Sequence, residues 1–438
     1  MSASAALATL ARAAQVPPLP LRRGGRVTGF DGTTVEASGV EALVGAQALI
    51  GPHRQAAEVI GFRDGRALLM GLSPLKGVFP GVAVVTEGLA AAADTGPALL
   101  GRLVDGLGRP LDGRGSIAAG RPMPLKARTL APGDRARVTE PLATGVRAID
   151  GLLTFGRGQR VGIMAGTGVG KSVLLGQIAR WASADVVIMA LIGERGREIT
   201  DFIETELTGE AAGRIITLAV PADEAPLLRV RGAERAFAIA EGFRGQGAHV
   251  LLILDSLSRV VHGAREVALA RGESAGARGV PPSALQLIAQ LAERAGGDRQ
   301  TGGAITLIAT VLAEGDDGRD PIVDAARGVL DGHVLLSRRL AARGQFPAID
   351  LGASASRVMA DVTAPGHLAA AARFRRYAGL VEDNRDLVLM GAYAPGSDAE
   401  LDAALALAPA MEAYRTQDRQ LRVDYADTVA ALERLVGA

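Results

Sequence analysis

Between residues 146 and 355 the chain alternates short apolar runs with segments of helical period. The runs fall at 160–164, 186–192, 214–219, 250–255, 304–311 and 333–337. Each is a stretch of strand length with few polar interruptions, the pattern of a strand covered on both faces. Such strands separated by helices predict an α/β fold with a parallel sheet, and its ligand gathers at the strand C-termini. Upstream the texture differs. GRVTGF, TTVEASG, QALIG, AAEVIGF, RALLMGL and GVAVVT follow one another between glycine turns from about 22 to 92. Short strands at regular spacing predict a small β-barrel. Residues 93–145 carry the turn signals of a connector. Beyond 365 the segments GHLAAAARFRRYAGLV and DAELDAALALAPAMEAYRTQ predict a helical C-terminal domain. At the other end, Leu7, Leu10, Ala11 and Ala14 share one helical face before Pro17, Pro18 and Pro20. That face fits a frayed tail or a short helix that folds against a partner or a membrane surface. The expected organisation is therefore a tail at 1–21, a barrel at 22–92, a core at 93–365 and a helical domain at 366–438.

One junction in the core carries chemistry. Val161–Met164 meets the turn Ala165–Gly170, and Lys171-Ser172 opens a helical run. A strand, a glycine loop and a Lys-Ser at a helix start make a phosphate cradle. Glycines let successive backbone N–H groups curl around a polyphosphate with no Cβ in the way. The expected contacts come from Gly166, Thr167, Gly168, Val169, Gly170, Lys171, Ser172 and Val173. Lys171 would neutralise the β- and γ-phosphates, and Ser172 would hold Mg²⁺. The strict pattern asks for glycine where Ala165 stands.

Composition narrows the classes. The chain has 438 residues, so two or three domains are expected. Aromatics are only 3%, so the core must be built from small aliphatic residues. The net charge of +1 offers no field for nucleic acid. There is no cysteine, which excludes disulfides and thiolate chemistry and suits a reducing cytoplasm. The five histidines are scattered without metal-site spacing. No apolar run is long enough to span a membrane, and the start lacks the order of a signal peptide.

Hydrolysis asks for more than a cradle: a carboxylate for water, an acid for the metal, and a cation for the developing charge. Asp255 ends the apolar run His249–Asp255, which puts it at the same sheet edge as Lys171; a metal role and an N-cap role both fit. Glu194 follows the run 186–192 within GERGRE, where a water-polarising carboxylate and a solvated loop both fit. Arg357, in SASRVM, reads by itself as a surface arginine.

Taken together, GVRAIDGLLTFGRGQRVGIMAGTGVGKS (145–172), LIGERGRE (191–198), LLILDSLSR (251–259), EGDD (314–317), LDGHVLLSRRLAARGQFPAID (330–350) and SASRVM (354–359) resemble the type III protein-export ATPases, relatives of the catalytic subunit of rotary ATP synthases. The resemblance spans roughly residues 22 to 430. It implies a RecA-like P-loop core and an ATP- and Mg²⁺-dependent ATPase. In that family the first loop position is often alanine, so Ala165 conforms. The resemblance matches Glu194 to the carboxylate that activates water, with Arg195 and Glu198 supporting it. It matches Asp255 to the acid of the metal's water shell and Phe346 to an aromatic stacked on adenine. Arg357 matches an arginine finger that reaches a neighbour's nucleotide, which implies a homo-oligomeric ring, a hexamer. Further implied partners are a stator-like regulatory subunit at the N-terminus, a central stalk protein, export chaperones and substrates at about 366–438, and an export gate at the inner membrane. The implied location is the cytoplasm, peripheral to that membrane.

One departure stands out. ESAGARGVPPS (273–283) resembles a loop facing the ring centre, with Val280 where the family commonly has tyrosine. Gly391–Asp398 and Asn384–Asp386 look more like the flagellar branch than the injectisome branch. Three rivals stay in view: a rotary ATP synthase subunit, a ring helicase, and a scaffold that binds ATP without turning it over. The helicase would need a basic, aromatic-bearing surface in 22–92, where only Phe30, Phe62 and Phe79 are aromatic.

Overall fold

The computed structural model describes residues 23–126, 129–312 and 320–437. The helix expected around residues 7–14 and the EGDD segment lie outside them. The chain divides into two compact units, Met1–Ala91 and Ala92–Ala438.

In the first unit, Arg23–Phe30, Thr34–Ser38, Ala46–Ile50, Gln55–Arg63, Arg66–Gly71 and Ala83–Ala90 close an antiparallel barrel. These are the six pieces expected from the turn spacing. Alternation decides the inside: Val35, Ala37, Ala48, Ile50, Ala57, Val59, Leu69 and Val84 fill the interior. Closure leaves no unpaired strand edge. Phe62 and Phe79 are exposed rather than core.

In the second unit the main sheet runs, in spatial order, Ile349–Ser356, Gly332–Leu336, Arg160–Ala165, Ala304–Leu312, His249–Asp255, Val186–Ile192, Ile215–Val220 and Leu103–Asp105. Neighbours are parallel throughout except Ile349–Ser356, which joins antiparallel. All the runs expected between 146 and 355 form strands of this sheet. Sequence reading missed its two edges. Leu103–Asp105 is three residues inside the presumed connector, and Ile349–Ser356 is interrupted by glycine and serines.

The helix Lys171–Trp181 forms on good helix-forming residues and buries Leu174, Leu175 and Ile178 against the sheet. The helices Pro365–Asp383, Ala399–Arg415 and Tyr425–Val436 pack on the same apolar mass, so Phe374, Tyr414 and Leu432 share one cluster with Val161 and Leu251. On the other side, the helix Pro226–Arg244 is buried although it carries Arg231, Glu234, Arg235, Glu241 and Arg244. Its charges are answered: Glu241 receives both Nε and Nη2 of Arg294 at 2.8 Å.

Two buried polar groups fix the frame around the phosphate-loop strand. Asp150 accepts from Thr144 N at 2.8 Å, Thr144 Oγ1 at 2.6 Å and Gly145 N at 2.9 Å. His249 pairs its Nε2 with Thr306 Oγ1 at 2.8 Å, and burial pushes its pKa down to about 4.

Removing the Asp150 acceptors strands two backbone donors, each costing about 1–3 kcal/mol. Asp150→Ala is therefore expected to lower the denaturant midpoint of the second unit, read by urea titration with Trp181 fluorescence. His249 is held neutral in the fold, so below pH ~6.5 the unfolded chain takes up the proton first. Its contribution is present above that value and is lost as pH falls towards about 4. Relative to the parent, His249→Gln should gain up to ~3 kcal/mol across that window, measured by urea titration at each pH.

Candidate active site

Two glycines of the phosphate loop lie close against neighbouring side chains. A Cβ on Gly166 would lie 2.9 Å from the Arg338 guanidinium, and Gly170 takes φ of +84° with the Phe346 ring beside it. The helix that follows has no side chain capping its N-terminus. Its first N–H groups and the positive end of its dipole therefore face the loop. In front lies a cavity of about 900 Å³.

Sheet order brings the charged groups together. Asp255 ends a strand separated from the phosphate-loop strand only by Ala304–Leu312, and Glu194 lies just past the next strand outward. Lys171 Nζ is 2.6 Å from Asp255 Oδ1 and 3.4 Å from Glu194 Oε1. Thr310 Oγ1, on the intervening strand, donates to the same Asp255 oxygen at 2.6 Å. Burial works against the Lys171 ammonium, but the Asp255 and Glu194 carboxylates outweigh it and hold its pKa above the ordinary value. Burial pushes the Glu194 carboxyl up, against the pull of Lys171 and with the push of Asp255.

Most of the residues singled out from the sequence gather here. Gly166, Thr167, Gly168, Gly170, Lys171, Ser172, Val173, Glu194, Arg195, Glu198 and Asp255 line the cavity. Val169 instead buries its side chain in the core, which leaves only its backbone to face a ligand. Arg195 is 83% exposed and pairs with Glu198 at 3.3 Å. Phe346 lies just outside the lining, against Gly170, and is half exposed.

Arg357 is elsewhere. Ser356 pairs with Gly332, which pairs with Val161, whereas the loop leaves from Ala165 beside Leu336. Four residues of strand, about 13 Å, separate the two levels. Arg357 is exposed at the edge of the sheet opposite the cavity, where its Nη2 reaches Arg327 O at 3.4 Å.

Three groups at or behind the cavity escaped the sequence reading. Arg259 lines the cavity, and its Nε is buried with no partner among the described residues. Arg338 and Thr310 are the others. Arg259 and Arg338 stand within the quoted motifs and Thr310 within an apolar run, where their types are ordinary, and only the folded chain brings them to the site.

The donor set fits a hard divalent cation. Ser172, Asp255 and Glu194 supply oxygen only, and among the described residues no group of three or more His, Cys, Asp or Glu could hold a metal by itself. Such a cation keeps most of its ligands from water and phosphate, as Mg²⁺ does.

Residues 145–356 match the model of the ATP synthase alpha/beta family, nucleotide-binding domain, and residues 363–434 match that of the T3SS EscN ATPase C-terminal domain. The chain is 45% identical to the flagellum-specific ATP synthase of Pseudomonas aeruginosa, over 97% of this chain and 95% of that one. It is 42% identical to the type 3 secretion system ATPase of Xanthomonas euvesicatoria, over 94% of this chain and 93% of the relative. Among solved structures, the assembled ATPase EscN of the enteropathogenic E. coli type III secretion system superposes with a TM-score of 0.89 at 39% identity, covering 94% of this chain and all of that one. EscN in complex with its central stalk EscO gives 0.87 at 39% identity, over 94% of this chain and 100% of that one. With such identity sustained along nearly its whole length, and with barrel, sheet and C-terminal helices in the same order, the chain belongs to the ATP synthase alpha/beta family, in the group formed by flagellum-specific ATP synthases and type III secretion ATPases.

Proposed function

We propose that this protein hydrolyses ATP in a homohexameric ring and thereby energises export of unfolded proteins through a type III apparatus. The observation that carries the reading is the cavity in which one lysine, two carboxylates and an uncapped helix N-terminus converge. The loop amides and Lys171 bind the β- and γ-phosphates. Ser172 and Asp255 would hold Mg²⁺, which would supply charge neutralisation for the phosphates. Glu194 accepts a proton from the attacking water; its raised pKa makes it a better acceptor than an ordinary carboxylate. Arg195 and Glu198 support that carboxylate from the cavity rim. Arg259, with an unsatisfied Nε beside this site, faces the charge that develops on the transferred group. Phe346 stacks on the base.

Arg357 cannot reach its own subunit's loop, so its role is in trans. Exposure at the opposite sheet edge leaves it free to enter the cavity of a neighbour, which makes fast hydrolysis a property of the assembly. The flagellar branch is favoured by the resemblance of Gly391–Asp398 and Asn384–Asp386 to that branch. A central stalk, a stator-like subunit at the N-terminus, chaperones, substrates and a membrane gate complete the proposed set of partners. The site of action is the cytoplasmic face of the inner membrane. Among the described residues no helix is long and apolar enough to cross a membrane.

Lys171→Ala is expected to abolish nucleotide binding or turnover, read by fluorescent-nucleotide titration and phosphate release. Arg357→Ala should keep binding and lose the assembly-dependent rate by about 10³–10⁵, seen as a flat specific rate across protein concentrations where the parent rises. Glu194→Gln and Arg357→Ala should each be inactive alone, yet mixing them should restore turnover, because some mixed interfaces then hold one intact group of each kind. No recovery in a mixed ring would refute the shared site, and equal rates for Glu194→Gln and the parent would favour a scaffold.

A further inference from the structure

The base side of the cavity has its own support, and it comes from the far end of the chain. Gln417 follows the helix Ala399–Arg415 and is only 5% exposed. Its Oε1 accepts from Arg147 N at 2.8 Å, and its Nε2 donates to Gly145 O at 2.8 Å and to Leu421 O at 2.6 Å. The first two bonds fasten the side chain to the turn at Gly145–Arg147, the turn that buried Asp150 already clamps, and the third holds the loop at Leu421. The backbone N–H of Gln417 then donates to Phe346 O at 2.8 Å. One residue earlier, Gln345 Nε2 bonds Glu412 Oε1 on the same helix. One residue later, Asp418 O accepts from Gln177 Nε2, on the helix that Lys171 opens, at 3.4 Å.

From this geometry we propose that Gln417 is a positioning residue for the nucleotide base: it ties Phe346 to the Gly145–Arg147 turn and sets the height of the ring above Gly170. The proposal rests on the reading that Phe346 stacks on adenine. The ring is 41% exposed and so is held weakly by packing. Its carbonyl is held at Gln417 N, and Gln417 is placed by its own side chain. Loss of that side chain leaves Arg147 N and Leu421 O without this partner and Gly145 O with only Val423 N at 3.3 Å, and the segment that carries Phe346 loses its anchor. The phosphate end is held separately, because Lys171 is paired with Asp255 and Glu194 at the ends of the sheet strands.

The mechanism predicts a split between base and phosphate. In the assembled full-length protein, Gln417→Ala should raise KM for ATP about tenfold, the effect of one or two hydrogen bonds. It should leave kcat within about twofold and leave unchanged the inhibition constant of inorganic tripolyphosphate, which lacks a base. Gln417→Met fills the same volume without donor or acceptor, so it gives the same reading if the alanine variant fails to fold. An equal rise in KM for ATP and in the tripolyphosphate constant would mean general loosening and overturn the proposal. An unchanged KM for ATP in a folded variant would overturn it too. Phe346→Ala run alongside separates the two levels. If it leaves KM for ATP unmoved, the stacking reading itself fails; if it raises KM while the Gln417 variants do not, only the anchoring claim fails.

Discussion

A single buried ammonium organises the cavity. Lys171 sits at the C-terminal edge of the sheet with little access to water, where an unpaired charge is costly. Asp255 and Glu194 meet that cost, at 2.6 and 3.4 Å. The arrangement is balanced only while the lysine faces the acids. A triphosphate entering the loop competes for Lys171 and leaves the acids exposed to each other's charge, so binding of the polyphosphate calls for a cation beside the acids. The same three groups, one ammonium between two carboxylates, are a charge-paired resting set and, on the proposed reading, the parts of a phosphoryl-transfer site.

That set is rigid because the strands carrying it are. Gly162, Ile163 and Met164 run beside Ala309, Thr310 and Val311 in register, and Leu252, Ile253 and Leu254 beside Leu307, Ile308 and Ala309. With almost no aromatic residues available, the core reaches its density with Val, Ile, Leu and Ala. Buried charge fills what remains, as in the Arg294–Glu241 pair behind the sheet. Such pairs add less to stability than an apolar core of the same volume, but removing one partner would leave the other buried and unmatched.

The sheet also separates the two functions of one subunit. Strand polarity collects the loop, the lysine and the acids at one edge. The antiparallel strand Ile349–Ser356 then carries the chain back to the opposite edge before Arg357. On the proposed reading, an arginine about 13 Å down the sheet from its own loop serves another copy of the chain, which is how a monomer's topology would call for a ring. The C-terminal helices, packed on the same apolar mass as the sheet, reach the base side through Gln417 and Gln345. A partner that moves those helices thereby has a mechanical path to the nucleotide.

The sequence by itself determined the elements whose signal is local. Six apolar runs became six strands, the glycine turns placed the barrel, and the Lys-Ser after the glycine loop placed the phosphate end of the cavity. Asp255 and Glu194 were legible because a carboxylate ending a buried run in a parallel sheet must lie at the ligand edge. The tertiary structure alone decided what depends on distant pairing. Leu103–Asp105 is too short to announce itself and is a strand only because Ile215–Val220 offers it a partner. Arg259, Arg338 and Thr310 occupy positions where their types are ordinary, and they gain a role from what faces them. Gln417, more than two hundred residues from the loop, is invisible to any pattern along the chain. Periodicity reports which face of an element is buried, but it carries no information about which distant backbone group a buried polar side chain will meet.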